Sequence, residues 1–291
     1  MKLFSRLNEL RKNPVTAILI ISNVVIHILV GFTGGTDGTL GYLNLIKWGA
    51  RYGPAIIDGE WWRLIVPIFL HIGIFHLFTN MIGLFMIGRI LDMEKVLGSF
   101  GYLVVYLLSG IIGNACSFYF SPNVGAGASG AIFGLFGTGT AFLILNRNRL
   151  GSTGKDTLLA MLFIVGINIV IGLVTDGVDN TAHVAGLLAG FIIGIYVIPR
   201  RDNLIKIGPI TPGSEIISCK RCDGTGQLSG TIGAAFGKFQ QITPCSTCNG
   251  VGQTVFESTK KNSAFTRYIL SIIVVSIFVA ILIMRKSIQG Y

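Results

Sequence analysis

Five polar residues stand inside apolar stretches of this chain, where such side chains are rare. His71, His76 and Asn80 share one stretch, Ser129 lies in a second beside Gly127, Ala128 and Gly130, and His183 in a third. Polar or ionisable groups at membrane depth are costly, so they face a protein interior and mark a functional site. Serine and histidine are the minimum set for nucleophilic acyl transfer, the imidazole taking the hydroxyl proton. An asparagine and a second histidine can supply donors to the oxyanion that forms.

The elements that must position these groups are membrane helices. Apolar residues make up 51% of the 291 positions and charged residues only 12%, which does not suit a soluble domain of this size. Seven stretches can cross a hydrocarbon core as helices: 14–32, 67–88, 99–119, 127–145, 157–173, 181–198 and 265–284. The first follows Lys2, Arg6, Arg11 and Lys12 as a signal peptide would, but no small-residue cleavage pattern follows it, so a retained span is expected. The net charge of +10 does not indicate nucleic acid. With the N-terminus inside, Arg89, Lys95, Arg147, Arg149 and Lys155 join the N-terminal bases on one side, as do those of 200–267. That is the positive-inside asymmetry. Gly130, Gly134 and Gly137 in the fourth stretch and Gly186, Gly190 and Gly194 in the sixth suit close helix packing.

Parity links the polar residues. If the N-terminus is inside, stretches two, four and six all run inward, and each carries its polar residues in roughly its first half. His76, Asn80, Ser129 and His183 therefore fall toward the outer half of the bilayer at one depth. His76 and Asn80, four apart, share a helix face. His71, five before His76, is expected to point elsewhere and to serve a structural role at the mouth of the span. Ser129 follows the turn Gly125–Ala128 at a helix start, where free N–H groups favour developing negative charge. His27 reads as an interfacial or hydrogen-bonded histidine, and Cys116 as a small buried residue.

The ordered set resembles the rhomboid intramembrane serine proteases from about Leu43 to Ile198. It comprises Gly59 to Leu64, His71-x4-His76-x3-Asn80, Glu94 with Gly98, Gly127 to Gly130, and Ala182-His183-x2-Gly186-x3-Gly190. The resemblance implies Ser129 as nucleophile, His183 as general base, and His76 and Asn80 at the oxyanion hole with the backbone N–H of Ser129. It matches Trp62-Arg63 to a loop lying partly in the outer leaflet, and it implies a dyad without a third acid. Phe133 stands where some members carry a tyrosine against the histidine ring. Asp176 and Asp179 read as solvated turn residues.

Residues 199–263 change composition and repeat a knuckle, Cys219-x2-Cys222 and Cys245-x2-Cys248, each followed by glycines. Four thiolates at this spacing suit one structural zinc ion, and disulfides are disfavoured in a reducing cytoplasm. The segment resembles half of the cysteine-rich region of J-domain co-chaperones, which implies peptide or unfolded-protein contact. The expected architecture is an all-α polytopic membrane protein. It has a six-span rhomboid-like core over 1–198, a cytoplasmic zinc ribbon over 199–263, and a seventh span with a tail over 264–291. The expected activity is endoproteolysis of transmembrane protein substrates within the lipid bilayer of a bacterial plasma membrane, with no cofactor for catalysis and no nucleic-acid partner. The alternative is an inactive rhomboid-like binding or quality-control adaptor that works through the ribbon.

Overall fold

The computed structural model describes residues 13–90, 92–198, 215–218, 222, 227–234, 237–244, 253–256 and 263–289. The chain forms two compact units, 1–198 with 264–291, and 199–263. The first unit is helical: α1 (Pro14–Thr33), α2 (Tyr42–Lys47), α3 (Gly53–Ile57), α4 (Gly73–Ile90), α5 (Met93–Phe120), α6 (Ser129–Leu145), α7 (Arg147–Val174), α8 (Asn180–Val197) and α9 (Ser263–Gln289). Among the described residues, five helices are long and apolar enough to cross a membrane: α1, α5, α8, and the segments Gly154–Val174 of α7 and Thr266–Ile288 of α9. Gly73–Gly88 of α4 and all of α6 are shorter apolar helices.

Residues 67–72, expected to be helical, are not. Trp61–Leu64 and Val66–Phe69 are short 3-10 turns, Leu70 is extended, and Gly73 has φ 73. Pro67 contributes no N–H and Gly73 adopts a conformation that penalises a Cβ, so α4 starts only at Gly73. His71 thus sits in the loop before α4.

A carboxylate from α5 caps α1. Pro14 opens that helix at a position where its missing N–H is harmless. The N–H groups of Val15 and Thr16 donate to the buried Glu94 at 2.9 and 3.0 Å, and Ser99 Oγ donates to the same carboxylate at 2.8 Å. First-turn N–H groups have no partner within their own helix, and a negative charge there is stabilising.

At the centre, α6 is buried along most of its length and its backbone touches that of α8. A Cβ at Gly186 would collide with the Gly130 carbonyl, and one at Gly190 with the Gly134 carbonyl. Thr138 Oγ1, on α6, donates to Gly190 O at 2.7 Å across the same seam. Without a hydrophobic driving force inside lipid, such small-residue contact is what draws helices together.

The last helix, α9, runs parallel to α5. Near its start Tyr268 donates to Leu97 O at 3.3 Å, and near its end Lys286 donates to Tyr119 O at 3.1 Å. Its apolar residues Val279, Leu282 and Ile283 pack on Ile56, Leu64, Ala115 and Phe118.

The described part of the second unit comprises four strands, β1 (Glu215–Ser218), β2 (Gln227–Ala234), β3 (Gly237–Pro244) and β4 (Gln253–Phe256). β1 pairs antiparallel with β4, ending at Ser218 opposite Gln253. β2 pairs antiparallel with β3, starting at Gln227 opposite Pro244.

Candidate active site

The nucleophile candidate begins a helix and the base candidate lies in the first turn of another, and the glycine seam holds those two helices together. Ser129 is the first residue of α6, and His183 follows Asn180, the first residue of α8, by three positions. Ser129 Oγ and His183 Nε2 lie 2.8 Å apart. The Phe133 ring, one turn on from Ser129, stacks on the imidazole with centroids 4.4 Å apart and planes 5° from parallel. Such stacking fixes the ring plane. His183 Nδ1 has no hydrogen-bond partner among the described residues, so no carboxylate there accepts from it.

Gly127 sets the approach of the other histidine. Its φ of 148 lies outside the range that L side chains favour. A Cβ there would stand 2.7 Å from His76 Cε1, 2.9 Å from His76 Nε2 and 3.6 Å from Ser129 Oγ. Imidazole and hydroxyl therefore share the space over one glycine. Asn80 Nδ2 donates to His76 O at 2.8 Å, one turn back along α4, which places the amide on the His76 face of that helix. No side chain caps the start of α6, and this leaves first-turn N–H groups beside Ser129 for a ligand.

His71 departs from its expected placement. Its ring meets that of His76 edge to face, with centroids 5.3 Å apart. The buried His71 Nε2 accepts from the N–H of Ala128 at 3.5 Å, directly behind the nucleophile candidate. A five-residue offset could not be counted along a helix because residues 67–72 are not one. His27 is buried on α1.

Asp179 is no solvated turn residue. Its Oδ1 accepts from Ala182 N at 3.0 Å, capping α8, and its Oδ2 lies 3.0 Å from Arg51 Nη2. Ser117 Oγ, on α5, also donates to Oδ2. An aspartate immediately before the apolar run at Asn180 was a readable cap signal. Nothing in the sequence pointed from it to Arg51. In the 3-10 turn Trp61–Leu64, between α3 and α4, Arg63 Nε donates to Glu60 at 2.6 Å and Arg63 Nη1 donates to Ile46 O at 2.7 Å. The Arg63 guanidinium lies over the half-exposed Trp62 ring at 4.6 Å. Arg51 and Arg63 are therefore committed to internal bonds.

Of the expected zinc ligands, Cys222 is described, buried in a turn, while Cys219, Cys245 and Cys248 lie outside the described residues. Among the described residues no group of three or more His, Cys, Asp or Glu is placed to hold a metal ion.

Residues 58–200 match the family described as the Rhomboid domain. The chain is 37% identical over 180 residues to Rhomboid protease GluP of Bacillus subtilis (strain 168), covering 62% of this chain and 34% of that protein. It is 36% identical over 154 residues to Putative rhomboid protease YdcA of the same organism, covering 52% and 75%. Against RHOMBOID-like protein 2 of Arabidopsis thaliana the identity is 34% over 168 residues, covering 57% and 50%. The chain thus spans about a third of the first relative's length, three quarters of the second's and half of the third's.

Proposed function

The chain belongs to the rhomboid family, and we propose that it is an intramembrane serine endopeptidase cleaving transmembrane segments of other membrane proteins. The observation that carries this reading is the 2.8 Å approach of Ser129 Oγ to His183 Nε2. In the proposed reaction Ser129 Oγ attacks the scissile carbonyl while His183 Nε2 takes its proton. The imidazolium then gives that proton to the departing amine, leaving an acyl-enzyme on Ser129. A water, deprotonated by the same nitrogen, releases the acyl group and restores the serine. The oxyanion of each tetrahedral intermediate is met by the Ser129 N–H, His76 and Asn80, and such donors act most strongly where water is scarce.

The proposed topology is a six-span core of α1 and α4 to α8, with α9 as the seventh span and the N-terminus inside, in a bacterial plasma membrane. Two observations support it. Parity assigns α5 and α9 the same direction, and their contacts run in parallel from Leu97–Tyr268 to Tyr119–Lys286. The basic residues left on the opposite side include Arg51 and Arg63, which are tied up internally.

Residues 199–263 are proposed to hold one structural zinc through Cys219, Cys222, Cys245 and Cys248. The strand register supports a common site. The strand ends that flank 219–226 and 245–252 are paired with one another, Ser218 with Gln253 and Gln227 with Pro244. A zinc ion bound there would stabilise the fold of the unit, and four protein ligands would leave it no open position for a reacting water.

The deciding experiment is labelling by a fluorophosphonate probe with mapping of the modified residue, alongside cleavage of a transmembrane substrate in proteoliposomes. Modification at Ser129, and loss of cleavage in a folded Ser129→Ala protein, are the expected results. Cleavage that persists in that variant would overturn the proposal.

A further inference from the structure

We propose that Arg51 and Asp179 form a positioning pair that holds the base-bearing helix against the nucleophile turn; this rests on the protease reading above. Arg51 stands in the loop before α3, is only 2% exposed, and carries a charge that burial makes costly without a partner. Its Nη2 donates to Asp179 Oδ2 at 3.0 Å and to Asn123 O at 3.1 Å. Its main chain exchanges two hydrogen bonds with Gly125, at 2.8 and 3.0 Å. The guanidinium lies against Gly125, where a Cβ would approach Nη2 to 2.7 Å. One residue therefore binds the turn leading to Ser129 by both main chain and side chain.

The same side chain reaches the other half of the site. Asp179 uses Oδ1 to hold Ala182 N at 3.0 Å, and its carbonyl accepts from His183 N at 3.1 Å. The carboxylate thus grips the first turn of α8 on one oxygen and Arg51 on the other. Ser117 Oγ donates to that second oxygen and links α5 to the pair. The links close a ring: Ser129, the Asn123–Ala128 turn, Arg51, Asp179, the first turn of α8, and His183 back to Ser129 across 2.8 Å. The glycine seam sets how closely α6 and α8 approach. The pair adds a polar tie at the N-terminal ends of both helices, where Ser129 and His183 stand. Neither residue touches the reacting atoms, so the role is positioning, and misplacement by about 1 Å can lower a rate ~10²-fold.

Helix capping and the ion pair can be separated, because asparagine caps a helix as well as aspartate does but carries no charge. The test measures kcat and KM for transmembrane-substrate cleavage in proteoliposomes, with thermal unfolding of each full-length variant in parallel. Asp179→Asn is expected to remain folded, with kcat lowered roughly 10–100-fold and KM little changed. Arg51→Lys is expected to recover part of the activity lost in Arg51→Gln, since an ammonium keeps the charge beside Asp179 but lacks the planar guanidinium that lies against Gly125. The Arg51→Gln/Asp179→Asn double variant should lose no more than the worse single one, as coupled residues do. Wild-type kcat in folded Asp179→Asn protein would overturn the proposal, even if Arg51→Gln failed to fold; so would strictly additive losses. If wild-type protein shows no Ser129-dependent cleavage, the protease reading fails and takes the pair's role with it. If the wild type cleaves and the variants match it, only the pair's role is lost.

Discussion

Ser129 and His183 meet across 54 positions of sequence, and the residues around them decide whether that contact is productive. Phe133 holds the imidazole by stacking, a contribution of about 0.5–1.5 kcal/mol. Replacing it with leucine is expected to lower kcat about two- to tenfold with little change in KM, whereas Phe133→Tyr, which keeps the ring, should stay near wild type. Steady-state cleavage of a model transmembrane substrate measures both. Asn80 is one oxyanion donor among several, so Asn80→Ala should cost no more than the ~10²–10³ in kcat typical of a lost donor. His71→Ala removes the acceptor behind the nucleophile turn and leaves the buried Ala128 N–H without a partner. A stability loss of ~1–3 kcal/mol is expected, read by unfolding in a fixed detergent, with reduced activity in whatever remains folded.

Between α6 and α8 the glycines are contact points of backbone with backbone. A methyl at Gly190 would run into the Gly134 carbonyl, which cannot move without shifting α6. Gly190→Ala is therefore expected to destabilise by roughly 1–3 kcal/mol, as overpacking does, and to reduce Ser129 labelling. Gly166 of α7 is the contrast: nothing lies within 4 Å of a Cβ built there. Gly166→Ala should be neutral or slightly stabilising, since glycine costs about 0.5–1 kcal/mol in a helix interior relative to alanine. Equal effects of the two substitutions on thermal midpoint and labelling would refute the account of the seam. Gly127→Ala belongs to the same class, because strain at φ 148 and collision with His76 act together.

The whole chain joins a helical unit that carries every candidate catalytic group to a second unit that carries the cysteine repeat. Replacing 199–263 by a flexible linker should leave Ser129 labelling intact, because α9 keeps its contacts with α5. Loss of labelling in a folded protein of that design would make the second unit part of the active machinery. Metal analysis of intact protein is expected to give about one zinc per chain, falling in Cys219→Ser and Cys245→Ser variants as binding and folding are lost together. Protein kept reduced that carries disulfides and no zinc would refute that site.

The long apolar helices were legible in the sequence, because hydrocarbon demands about 20 apolar residues in a helix that crosses it. The close seam of α6 and α8 was legible too, since glycines repeated every four residues share one helix face, and that seam brings Ser129 to His183. Where the chain leaves regular structure, these rules give no purchase. Pro67 and Gly73 broke the expected second span and turned His71 back onto His76. Asp179 read as a solvated turn residue because its partners Arg51 and Ser117 come from distant loops and helices, and spacing along one element cannot reveal a bond between elements. Residue types and helical period determined what could stand at the site. Tertiary structure alone decided how the loops close around it, since loop contacts obey no period and each depends on where the packed helices leave their ends.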